Sequence, residues 1–160
     1  MKDYLIKYRP FLVFLGKFFF TYLLLIIIYQ LFLNQYDAAK FEADGMTHLV
    51  ANQTQSVLKA FDYDAKLVPL TNEPSVLVTV NRKPIVRVVE GCNAVSVMIL
   101  FTAFIVAFSG KFLRTFSFIM AGILAIHILN VLRIALLIMG MLSYPEYDDL
   151  LHGVIFPLII

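Results

Sequence analysis

Ile85-Val86-Arg87-Val88-Val89-Glu90-Gly91-Cys92-Asn93-Ala94-Val95-Ser96-Val97-Met98-Ile99-Leu100 carries the chain from a β-branched run, over a polar step, into an apolar stretch that continues to Ser109. Ile85 to Val89 reads as a strand, because β-branched side chains fit a half-buried pleated surface. From Cys92 onward the composition is that of a membrane helix. A water-facing element therefore hands the chain directly to a lipid-facing one. Cys92, the only cysteine in the sequence, falls at the boundary between them.

Working outward, the 160 residues are 61% hydrophobic, with a mean hydropathy of +0.84. An ordinary soluble domain is nearer one-half apolar. The net charge of +2 and the scattered cations give no basic groove, which argues against a nucleic-acid partner. Besides Cys92 to Ser109, the runs Phe11 to Leu33 and about Phe116 to Leu142 are candidate spans, since a spanning helix needs roughly 20 apolar residues. Lys2, Lys7 and Arg9 precede the first run as they would in a signal peptide. That run is too long for a signal h-region and lacks a small-residue cleavage site, so it reads as a retained anchor. A fourth apolar run, Gly153 to Ile160, would be about 12 Å long as a helix. The expectation is that it is the start of a span continuing beyond these residues.

Basic residues near span ends stay in the cytoplasm. Lys2, Lys7 and Arg9 place the amino terminus inside, and Lys111 with Arg114 places the loop between the second and third spans inside as well. The segment Asn34 to Glu90 and the acidic loop Ser143 to Asp149 then face outward. Within the outer segment, Met46, Leu49, Val50, Val57, Leu58 and Phe61 recur near helical spacing and predict a helix over about Ala38 to Phe61. Strands are expected over Ala65 to Leu70, Ser75 to Val80 and Ile85 to Val89, with Asn81-Arg82-Lys83-Pro84 as a hairpin turn. The fold class is mainly α: a polytopic transmembrane helical bundle of three full spans plus the start of a fourth, with a small outward-facing α+β insertion. The expected divisions are 1–33 (amino terminus and first span), 34–90 (outer α+β segment) and 91–160 (membrane core).

Three groups stand out chemically. Free cysteines are most often small buried hydrophobes, but Glu90-Gly91 places Cys92 near water, and Gly91 permits close backbone approach. Arg133 lies in the third apolar run, where a buried arginine costs about 2.5–3.5 kcal/mol and marks a candidate functional site. The bland reading is snorkelling to the interface, which would bring its head toward the depth of Cys92. Asn130 lies three residues before it and His127 three before that, on one side of the helix. For both, an interhelical packing bond is the plain alternative. His152, followed by Gly153, opens the fourth run at the same outer level. His48 reads as a surface residue.

A free thiol is mostly protonated at neutral pH, and a neighbouring cation or imidazole raises its thiolate fraction. Histidine can protonate a leaving amine and then deprotonate an incoming nucleophile. Arginine can stabilise a thiolate or an oxyanion. Cys92, Arg133 and His152 together describe acyl transfer through a thioester. No metal or other cofactor is expected, because the chain lacks the paired Cys/His spacings of zinc sites.

In Glu90-Gly91-Cys92-Asn93, Asn130-Val131-Leu132-Arg133-Ile134 and His152-Gly153 the sequence resembles the exosortase/archaeosortase family of multi-span membrane transpeptidases. It is most similar to the short F-type exosortases of Bacteroidetes. The resemblance implies Cys92 as nucleophile, Arg133 as electrostatic stabiliser and His152 as general acid/base; Glu90, Gly91 and Asn130, beside them in the same motifs, are the expected supporting residues. It implies a bacterial inner-membrane enzyme with its site facing the periplasm. The partner would be an exported protein whose carboxy-terminal sorting signal is cut at the membrane and passed to an acceptor. Two other classes compete: a non-enzymatic membrane assembly or scaffold subunit, in which Cys92 is incidental, and a transporter fragment with Arg133 on a solute path.

Overall fold

The computed structural model describes residues 8–36, 42–70, 72–108 and 110–143. In chain order the elements are α1 (Arg9–Leu33), α2 (Gly45–Ala60), β1 (Ala65–Pro69), β2 (Ser75–Val80) and β3 (Lys83–Val89), then a 3-10 turn (Glu90–Cys92), α3 (Val95–Ala107) and α4 (Phe112–Ser143). They fall into two compact units, and neither is a continuous stretch. One holds α1, α3 and α4 as far as His127; the other holds α2, the sheet, the 3-10 turn and α4 from Ile128.

In the first unit, α1 tolerates Pro10 because it stands in the opening turn, where the missing N–H has no ladder partner to lose. No residue of α1 is buried, and Phe20, Leu23, Ile27 and Leu31 are exposed along it. That surface is costly in water and ordinary against lipid. Phe14 packs edge-on to Phe108 and Phe104 of the α3 end, with ring centroids 4.9 and 5.9 Å away. On α4, Gly122 accepts the Phe101 ring so closely that an added Cβ would come within 2.3 Å of it.

The apolar stretch from Cys92 to Ser109, expected to span, does not form one long helix. Glu90 to Cys92 are spent on the 3-10 turn and Ala94 turns left-handed at φ 61, so regular helix begins only at Val95. The 13 residues of α3 make about 20 Å, short of a hydrocarbon core of about 30 Å. Among the described residues two helices, α1 and α4, are long and apolar enough to cross a membrane. The described residues thus carry two of the three expected full spans, with one short apolar helix where the other was expected.

In the second unit, Asp44 caps α2. Its Oδ1 accepts from the backbone N–H groups of Met46 at 2.9 Å and Thr47 at 3.0 Å, and its Oδ2 accepts from the Thr47 hydroxyl. The expected helix is present from Gly45, at this cap; residues 38–41 of the expected stretch lie outside the described residues. Asp44 is buried, so Asp44→Ala, which strands these donors, is expected to cost about 1–2 kcal/mol of stability in chemical denaturation.

The sheet is antiparallel in the order β1-β2-β3. The β2–β3 hairpin turns on Asn81 and Arg82, both at positive φ (51 and 66), as a two-residue loop between right-twisted strands requires. The strand therefore resumes at Lys83, earlier than the expected Ile85. Arg87 of β3 pairs with Glu73 at 2.8 Å on the exposed side.

Val50, Ala51 and Leu58 of α2 meet Ala65, Val76, Val78, Val80, Val86 and Val88 of the sheet in one core. Val131, Ile134, Ala135 and Ile138 join the same core. Their spacing draws one stripe down α4. At 32 residues, about 48 Å, α4 exceeds the length needed to cross a bilayer. From Ile128 it serves as a wall of the α+β core, with Leu129 and Leu136 exposed on its other side.

Candidate functional site

Cys92 is the last residue of the 3-10 turn that leads out of β3, and it is half-buried. The turn exists because Val89 leaves the sheet extended and Asn93, at φ −84 and ψ −3, closes it by donating its backbone N–H to the Glu90 carbonyl at 3.2 Å. Asn93 is 1% exposed. Ala94 then adopts the left-handed conformation, which costs a non-glycine residue roughly 1–2 kcal/mol. Strain of this kind persists only where surrounding contacts fix the backbone, and it clusters at functional sites.

The fixing contact comes from α4. Asn130 Nδ2 donates to the Cys92 carbonyl oxygen at 2.8 Å, across 38 residues of sequence. Asn130 is buried at 6% exposure. The sequence offered it a packing bond to a neighbouring helix; its partner is the backbone of the cysteine itself. Arg133 lies three residues further along the same helix, a rise of about 4.5 Å and a rotation about 60° short of a full turn. It is half-buried, with its Nε shut off from solvent. Val131, Ile134 and Ala135 around it face the α+β core, so this arginine stands on a helix stretch held by protein on one side.

Glu90 and Gly91 are exposed beside Cys92. Nothing lies within 4 Å of where a Cβ on Gly91 would sit, so no described part of the chain uses the close approach that a glycine permits. Gly91→Ala is therefore expected to shift folding stability by less than about 0.5 kcal/mol, measurable as an unchanged thermal transition.

His127 is half-buried and belongs to the unit that does not contain Cys92. His48, on α2, is half-buried rather than freely exposed. His152 and Gly153 lie outside the described residues, as do the loop 144–149 and the fourth apolar run. Among the described residues, no three His, Cys, Asp or Glu side chains gather closely enough to hold a metal ion.

The structure thus joins Cys92 directly to Asn130 and brings Arg133 within a turn of that junction. Two features had no signal in the sequence. The left-handed residue is an alanine, where glycine would have advertised it. Asn93 looks like any polar residue at a helix entrance, yet it is buried and closes the turn.

Compared with known proteins, residues 9–160 match the family model described as transmembrane exosortase (Exosortase_EpsH). No curated protein and no solved structure matches the chain.

Proposed function

The chain belongs to the transmembrane exosortase family, and from that premise we propose that it is a membrane cysteine transpeptidase acting on exported proteins that carry a carboxy-terminal sorting signal. The observation that carries this reading is the Asn130 bond to the Cys92 carbonyl, which ties the only thiol of the chain to the helix bearing Arg133. The site would face the periplasm from the bacterial inner membrane, as the basic flanks at Arg9, Lys111 and Arg114 suggest.

In this mechanism the Cys92 thiolate attacks the scissile carbonyl, and the C=O electron pair moves onto oxygen. The Arg133 guanidinium stabilises that oxyanion. A backbone donor beside the nucleophile often shares this task; here the Asn93 N–H already serves the Glu90 carbonyl, which favours a side-chain cation. His152 takes the thiol proton and returns it to the leaving amine as the C–N bond breaks, giving a thioester on Cys92. An acceptor nucleophile, deprotonated by His152, then attacks the thioester and releases the thiol. The test is processing of a co-expressed target by wild-type and Cys92→Ala chains. Loss of processing in the variant supports the reading, and normal processing assigns Cys92 to packing and the chain to a scaffold role.

A further inference from the structure

We infer that Asn130 is a positioning residue for the thiol: its side-chain amide fixes the peptide plane that follows Cys92, and with it the direction in which the Cys92 side chain leaves the backbone. The inference rests on the reading of Cys92 as nucleophile. The bond from Asn130 Nδ2 to the Cys92 carbonyl is 2.8 Å long and part-buried, with a buried residue as donor and a half-buried one as acceptor, so water has restricted access to it. On the opposite edge of the same peptide, the Asn93 N–H donates to the Glu90 carbonyl at 3.2 Å. Both polar atoms of one planar unit are held. Because the unit cannot twist internally, holding both edges sets the backbone torsions on either side of it, including the one at the Cys92 Cα.

The surrounding backbone shows why an outside donor is needed. In α3 the ladder starts at Ala94, whose carbonyl accepts from the Met98 N–H. The Cys92 carbonyl precedes that ladder in the chain, and the left-handed Ala94 stands between the two. Asn130 supplies a donor to it from α4. Its bond falls on the nucleophile's own carbonyl, and a displacement of about 1 Å at a reacting group can cost about 100-fold in rate.

The test uses the full chain in lipid nanodiscs, with Asn130→Asp, Asn130→Gln and Asn130→Ala. Aspartate keeps the size of asparagine but, when ionised, can only accept. Two rates are read well below the melting transition: alkylation of Cys92 by iodoacetamide, and cleavage of a quenched-fluorescent peptide carrying the sorting signal of a co-expressed target. The expected result for Asp and Ala is a kcat lower by about 10–100-fold with KM nearly unchanged, and for Ala, which adds no charge beside the thiol, alkylation faster by about 5-fold or more as the thiol gains freedom. Gln, which keeps the donor, recovers part of both. An Ala variant with kcat and alkylation within about 2-fold of wild type overturns the inference, as does a lower melting temperature with kcat per folded molecule unchanged. Should Cys92→Ala still cleave, the nucleophile reading fails instead. The alkylation rate requires no catalysis and still decides whether Asn130 holds the thiol.

Discussion

Cys92→Ala lowers cleavage of a co-expressed sorting-signal target by about 10⁴-fold or more, the scale on which removing the nucleophile of a cooperating set acts, while the chain inserts and accumulates as wild type. The second half of that expectation follows from the structure. Cys92 is half-buried at the edge of the α+β core, so losing one sulfur leaves only a small cavity with an open side. The carbonyl that Asn130 holds is backbone and survives the substitution. Cys92→Ser is expected to be nearly as inactive, since a hydroxyl ionises far less readily than a thiol. Immunoblots of target processing alongside the amount of membrane-inserted chain separate lost chemistry from lost protein.

Arg133→Ala is the second large effect: kcat is expected to fall by about 10²–10³-fold, the usual consequence of removing one oxyanion stabiliser. Packing contributes to any loss as well, because Arg133 is half-buried with Nε shut off from solvent and an arginine stem packs as an apolar chain. Arg133→Met separates the contributions by keeping the stem and discarding the charge. It is expected to match alanine in kcat while melting closer to wild type. Arg133→Lys restores a charge but not the planar fork of donors and is expected to recover only part of the rate. A Met variant as active as wild type would confine Arg133 to a structural role.

Much of this arrangement is legible from residue order alone. The long apolar run of α1, which carries Lys17 as its one charge after Arg9, the β-branched runs of β1 to β3 and the spacing of Val50, Val57 and Leu58 in α2 each give a pattern that the fold then uses. Arg133 and Asn130 stand out because a polar group among apolar residues needs a reason.

Two parts were hidden, each for a physical cause. The stripe Val131, Ile134, Ala135 and Ile138 lies against the α+β core, but Leu129, Leu132 and Leu136 on the opposite face are equally apolar. A helix apolar all round shows no period that would reveal which face meets protein. The apolar run is longer than α3 because hydropathy counts apolar residues regardless of backbone. The 3-10 turn and the left-handed Ala94 consume the start of the run without changing its composition. The Asn130 to Cys92 bond belongs to neither local pattern, being a contact across 38 residues that only folding creates.

The most direct test of the central claim is mass spectrometry of the chain acid-quenched during turnover of a sorting-signal substrate, with peptide mapping of any adduct. The account predicts an acyl group on the peptide containing Cys92, released by hydroxylamine as a thioester must be and absent from Cys92→Ala. Substrate cleaved at the normal rate with Cys92 never acylated would contradict it.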